Sequence, residues 1–254
     1  MADLRLDKIT VMADRAPLVD QCSLFSGAGE FIAVVGENGA GKSTLLRAIA
    51  GYVPISAGSC TLDGVDVASL PTSQRARKIA WLPQTMPVAW PIRVSDTVAL
   101  GRFPHGAAPW RLAQNDQMAI ERALKACDLM GLRDRSTATL SGGELARVHI
   151  ARALASEAPL LLADEPVAAL DPRHQLAVLQ LFKASVDRGG CAIVILHDLA
   201  LAARFADRII GMKGGRIVVD DTPQKVITAE WIDQLFGVTA VIDHSAGWPR
   251  PMLG

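Results

Sequence analysis

The sequence predicts an α/β fold: a mostly parallel sheet with helices on both faces and a helical lobe inserted into it. Four short apolar runs, EFIAVVG (30–36), KIAWLPQ (78–84), APLLLADEP (158–166) and CAIVILHD (191–198), are nearly continuous, as strands buried on both faces must be. Helical spacing appears in KSTLLRAIAG, HQLAVLQLFKASVDRG and LALAARFA, and strands alternating with helices make a parallel sheet. No buried-strand pattern occurs between Gln84 and Leu160; RVSDTVALG, NDQMAIERALKACDLMGL and ELARVHIARALA all read as helices there.

In chain order, DLRLDKITV alternates apolar and polar residues and predicts a half-buried strand. EFIAVVG ends in Gly36, and the helix from Lys42 runs to Gly51, a glycine placed to cap it. The three helical patterns after Gln84, with Pro-rich loops between them, form the lobe, about 86–157. The core takes about 1–85 and 158–254 of a single domain, 1–254. RIIGMKGGRIVVDD predicts a hairpin turning at Gly214-Gly215.

Composition narrows the function. Half the residues are apolar, a fifth are charged and the formal net charge is zero, so no basic field favours nucleic acid. Five Trp against one Tyr give no basic-aromatic stretch on which bases could stack. Cys22, Cys60, Cys127 and Cys191 stand far apart and predict scattered reduced thiols. MADLRLDKIT lacks the apolar run of a secretory signal, and no stretch approaches the ~18 apolar residues that span a bilayer. A cytosolic protein is expected, with any membrane role arriving through partners.

The chemistry concentrates at predicted strand ends. GENGAGKS (Gly36, Glu37, Asn38, Gly39, Ala40, Gly41, Lys42, Ser43), followed by Thr44, matches G-x4-G-K-[ST] between a strand and a helix. Its glycines let backbone wrap phosphates, Lys42 reaches the β and γ oxygens, and the Ser43 hydroxyl ligates Mg2+. In LLLADEP, Asp164 and Glu165 are adjacent carboxylates, which repel unless a cation lies near. Mg2+ supplies that charge at Asp164, leaving Glu165 to orient or deprotonate a water. His197 closes a third strand and is placed for a γ-phosphate. Gln84 closes a fourth, where its amide senses Mg2+ or the attacking water. LSGGE (140–144) opens another helix with a Ser-Gly-Gly turn, a second anion site about a hundred residues from the first. His149, His105, His174 and His244 have no partner spacing for a metal.

Together these residues resemble the nucleotide-binding subunit of ABC transporters, with order and spacing agreeing from about residue 4 to 242. GENGAGKST resembles the Walker A loop, LLLADEP the Walker B strand and LSGGE the signature loop. Gln84 resembles the Q-loop residue, AALD ending at Asp171 the D-loop and His197 the switch histidine. The resemblance implies a P-loop NTPase core of RecA-like type, an inserted α-helical subdomain and an N-terminal antiparallel β portion. It also implies ATP and Mg2+ as cofactors and a head-to-tail homodimer, in which Ser141, Gly142 and Gly143 close over the partner's ATP.

TVALGRFPH (97–105), LDPRHQ (170–175) and TPQKVITAEWIDQLFGV (222–238) are similar to ATPases of iron–siderophore, haem and cobalamin importers. The implied partners are two integral-membrane permease subunits and, indirectly, a periplasmic substrate-binding protein, with no nucleic acid. The implied location is the cytoplasmic face of the inner membrane, peripheral and without a spanning segment of its own. The alternatives are another ABC importer class, an exporter or, remotely, a soluble non-transport ABC ATPase. QTMPVAWPIRVSDTVALG, with Met86 and Trp90, is the expected docking surface for a permease helix.

Three positions depart from the family pattern. The aromatic often placed against adenine is replaced near Ala13, leaving Arg15 as a stacking candidate. Glu144 stands where Gln is commoner, and Ala169 where Ser is commoner.

Overall fold

The computed structural model describes residues 3–14, 16–84, 90–108 and 111–253. The chain opens with β1 (Leu4–Ala13), β2 (Ala16–Ser26), β3 (Glu30–Gly36) and α1 (Lys42–Ile49). β4 (Ala57–Leu62), β5 (Val65–Asp66), α2 (Thr72–Lys78) and β6 (Ile79–Leu82) follow. Three helices come next, α3 (Val94–Ala99), α4 (Gln114–Ala126) and α5 (Gly142–Ala155). Strands and helices then alternate: β7 (Leu160–Asp164), α6 (Pro172–Val186), β8 (Cys191–Ile195), α7 (Leu199–Phe205) and β9 (Arg208–Lys213). β10 (Arg216–Asp221), α8 (Pro223–Val226), α9 (Ala229–Phe236), β11 (Ala240–Asp243) and β12 (Arg250–Leu253) complete it.

Six strands form the central sheet in the order β10-β9-β3-β8-β7-β6. All its pairs are parallel except the β9–β10 hairpin, which turns at Gly214-Gly215 with both φ positive. The apolar runs are continuous because each face of this sheet is covered. Phe31, Ala33, Val35, Ala163 and Val194 point into one core, shared with α3, α4, α5 and α6. Ile32, Val34, Leu162 and Ile193 point into the other, shared with α1 and a four-stranded antiparallel sheet, β2-β1-β4-β5. Alternate residues of one strand therefore serve opposite cores. Leu45, Leu46 and Ile49 of α1 are fully buried in that second core, where α1 packs beside both sheets.

Register places the chemistry. Val34 of β3 lies opposite Ile195 of β8, which lies opposite Asp164 of β7, while Ala163 faces Leu82 of β6. The C-terminal ends of four strands thus finish on one edge, where open parallel sheets bind ligands.

Two regions differ from the reading of sequence pattern. β2 showed no strand signal because its inward residues, Val19, Cys22, Leu24 and Ser26, are not evenly spaced by two. Lys8 and Gln21 adopt positive φ and the β1–β2 register slips there, so bulges reset the alternation. The helix expected over NDQMAIERALKACDLMGL ends at Ala126, and Asp128, at φ 53°, turns the chain out of it. All four cysteines are free and buried.

Candidate nucleotide site

The loop after β3 bends back on α1 because Gly41 adopts φ 93°, in the left-handed region. A side chain there would also strike the Leu18 carbonyl oxygen, 2.3 Å from where its Cβ would sit. Lys42 is almost fully buried, and its Nζ donates to the carbonyls of Gly36 at 2.7 Å and Glu37 at 2.8 Å. Burial pulls the Lys42 ammonium below its ordinary range, and the charges of Glu165 and Asp164 oppose that shift. The N-terminus of α1 adds unpaired N–H groups and partial positive charge, a site built for phosphate.

A cleft of about 690 Å³ opens over this loop, lined by Asn38 to Thr44, Leu18, Gln84, Glu165 and His197. Gly36 and Glu37 stand behind it and hold Lys42. Glu165 follows β7 at φ 51°, a strained value for a residue with a side chain, which typically costs about 1–3 kcal/mol and clusters at functional sites. The strain aims its carboxylate between two neighbours. Gln84 Nε2 donates to Glu165 Oε2 at 2.7 Å, and His197 Nε2 stands 2.5 Å from Glu165 Oε1.

Asp164 is fully buried, with Ser43 Oγ donating to its Oδ1 at 3.0 Å. Its Oδ2 has no hydrogen-bond partner among the described residues. Burial pushes this carboxyl above the ordinary range, with Glu165 adding to the shift and the Ser43 hydroxyl opposing it. An orphaned carboxylate oxygen beside a serine hydroxyl fits a hard cation with oxygen ligands. The residues present therefore fit Mg2+.

Ser141, Gly142 and Gly143 do not line this cleft. They open α5 with Ser141 as N-cap in a capping box. Glu144 accepts from Ser141 N at 2.8 Å and Oγ at 2.9 Å, while its own N–H donates to Ser141 Oγ. Ser141 and Gly142 are exposed. Asp171 caps α6, accepting from the His174 N–H at 3.0 Å and lying 2.7 Å from His174 Nδ1. These bonds, the backbone one foremost, hold its carboxyl below the ordinary range.

Sequence reasoning gathered Gln84, Asp164, Glu165 and His197 with the phosphate loop, and the fold brings them together. It missed Leu18. The signal was an apolar residue at an outward position of a hairpin strand, next to the place where an aromatic was sought. Ala13 is exposed on the same hairpin, and Arg15 and Met86 lie outside the described residues.

A family model described as ABC transporter matches residues 19–168. The hemin import ATP-binding protein HmuV of Pseudomonas entomophila is 44% identical over 230 residues, 89% of each chain. The protein of the same name from Pseudomonas fluorescens strain Pf0-1 is 41% identical over 255 residues, 98% of each. Among solved structures, a dimeric post-hydrolysis ATP-binding cassette bound to ADP and Pi superposes with TM-score 0.78 at 28% identity, covering 86% of this chain and 98% of that one. With phosphate loop, paired carboxylates and signature turn in place, the chain belongs to the ATP-binding family of ABC transporters and is an ATP-hydrolysing transport ATPase.

Proposed function

We propose that this chain powers uptake of a metal chelate, with haem ahead of iron–siderophore and cobalamin, as the ATPase of an importer. Likeness to proteins named for hemin import over nearly the full chain carries the cargo reading. Two copies pack head to tail, and each ATP lies between the phosphate loop of one and the signature turn of the other. In support, the cleft is not lined by its own Ser141–Gly143, which are exposed or half-exposed.

Lys42 and His197 contact the terminal phosphate, Glu165 takes a proton from the attacking water, and Ser141, Gly142 and Gly143 add N–H donors from the second copy. Ser43, Asp164 and Gln84 would hold Mg2+, which supplies charge neutralisation at the β- and γ-phosphate oxygens. Asp171 stands at the interface between copies.

Closure passes to two permease subunits through the boundary between core and lobe, the lobe being about 86–157. A groove of about 240 Å³ lies there, lined by Tyr52, Arg75, Trp81, Leu100 and Pro104 among others, and Trp90 is 74% exposed. Among the described residues no helix is long and apolar enough to cross a membrane. Attachment to the cytoplasmic face of the inner membrane, and work with a periplasmic binding protein, therefore run through those permeases.

Growth after disruption of the gene tests the cargo. Haem as sole iron source should no longer support growth, while ferric siderophore and cobalamin use persist. Intact haem use with loss of either other cargo overturns the haem assignment and keeps the ATPase.

A further inference from the structure

Resting on the reading of Glu165 as the group that takes the water proton, we propose that Gln175 is a positioning residue for hydrolysis. Its amide holds the segment from Glu165 to Asp171 in place through the Val167 carbonyl. Gln175 Nε2 donates to that carbonyl oxygen at 3.1 Å, eight residues back along the chain. LDPRHQ ends at this glutamine, which does not itself line the cleft.

Glu165 needs such a hold. It sits at φ 51° directly before Pro166, and a residue before proline is pushed toward extended backbone. Strained backbone of this kind persists only where its surroundings over-determine it. Gln84 and His197 restrain the carboxylate from the side. Both have other work in the proposed reaction, where His197 meets the terminal phosphate and Gln84 the Mg2+. Once they take those partners, Glu165 keeps only the restraint that its own backbone provides.

That backbone is held from α6. Asp171 caps the helix by accepting from the His174 N–H at 3.0 Å, which fixes the far end of the segment. Pro166, Val167 and Leu170 are buried, and Val178, Leu179 and Phe182 anchor α6 in the core. Within the segment the Ala168 N–H reaches the Glu165 carbonyl only at 3.4 Å, near the limit of a hydrogen bond, while Leu170 N donates to Val167 O at 3.1 Å. Gln175 crosses from the start of α6 to the middle of the segment and ties it to the helix. Without Gln175 the Val167 carbonyl still has the Leu170 N–H, so no buried acceptor is stranded and little stability is lost. What changes is where Glu165 stands, and a displacement of about 1 Å at a reacting group costs on the order of a hundredfold in rate.

The test is MgATP hydrolysis by the full chain, for wild type, Gln175→Leu, Gln175→His, Glu165→Gln and the Glu165→Gln/Gln175→Leu double variant. Leucine keeps much of the volume and loses the donor, whereas histidine keeps an N–H at similar reach. Gln175→Leu should lower kcat about tenfold or more while KM stays within about twofold. Its Tm should move by less than about 4 °C. Gln175→His should recover most of the lost kcat. In single turnovers the double variant should be no slower than Glu165→Gln, because residues that act as a unit are not additive. A kcat untouched by Gln175→Leu would overturn the assignment, as would equal slowing with and without the Glu165 carboxylate. A histidine variant as slow as the leucine one would do the same. Hydrolysis near the wild-type rate by Glu165→Gln would remove the reading of Glu165 itself, and this proposal with it.

Discussion

Two helix N-termini in this chain are built to meet anions, and they differ in what surrounds them. At α1 the chain supplies its own complement: a buried Lys42, the Ser43–Asp164 bond, and Glu165 held between Gln84 and His197. At α5 Ser141 and Gly142 are exposed, and the carboxylate on the Ser141 N–H is that of the helix itself, Glu144. The first end is a finished site in one molecule. The second is rigid and capped and stands outside the cleft over the phosphate loop, with Gly142 bordering a smaller pocket beside Gln84, Glu165 and Ala169 of its own chain. In the proposed dimer the phosphate for that donor set would come from the other copy.

Mixed dimers would break that comparison most severely. Pair a Lys42→Ala subunit with a Ser141→Arg subunit. If sites form between copies, one composite site carries both lesions and the other carries none, so ATP hydrolysis persists. Pairing wild type with the Lys42→Ala/Ser141→Arg double variant damages both sites, and activity should fall by about a thousandfold, as loss of preorganised donors costs. Sites complete within one chain give the reverse ranking. Tagged heterodimers assayed for phosphate release distinguish the two.

The α1 end was legible in sequence because its determinants are local. Gly36, Gly41, Lys42 and Ser43 sit in one loop, and Asp164 and Glu165 close one apolar run, so spacing alone assembled them. His197 and Gln84 followed because each ends another such run. The hairpin side was not legible. Bulges at Lys8 and Gln21 shift β2 out of a period of two, and the place of Leu18 at the cleft depends on its carbonyl lying against Gly41 and Gly215, distant in sequence. β4 was hidden for a similar reason: only Cys60 and Leu62 of its six residues are buried. What the α5 end would face in the proposed dimer lies outside any single chain, so it entered only through resemblance.

Rigidity of the lobe sharpens the contrast, because an outward site works only if its carrier is stiff. Arg102 is buried before α4; its Nε donates to Asp116 Oδ1 at 2.9 Å and its Nη1 to the Ala155 carbonyl at 2.9 Å, tying α4 to the end of α5. Arg102→Met leaves the Asp116 carboxylate buried without its partner, and removing one member of such a pair costs about 3 kcal/mol, read as a lowered Tm. The bond from Arg102 holds Asp116 below the ordinary carboxylate range. A depressed folded-state value gives stability that is complete above about pH 3.9, the unfolded value, and is lost as pH falls through the lower folded one. Arg102→Met should remove that contribution, so the midpoint of acid unfolding moves to higher pH. An unchanged midpoint and Tm would mean that α4 and α5 are held by their apolar contacts alone.

The smallest effect concerns Glu144. Its carboxylate completes the capping box, and the backbone bond from Ser141 holds it below the ordinary range, so it is ionised at neutral pH. That charge sits at the end of α5 where a terminal phosphate would arrive. The helix gains from it and the incoming anion is repelled by it, two demands met by one atom. A glutamine oxygen accepts the same bonds from Ser141 without the charge. Glu144→Gln should therefore keep the cap and lower the KM for MgATP by about three- to fivefold at low salt, with the advantage shrinking as salt screens it. Glu144→Ala breaks the box and should lose affinity instead. If Glu144→Gln raised KM at every ionic strength, the charge would be serving the helix end more than it repels the phosphate, and α5 would have to be read as a cap first and an anion site second.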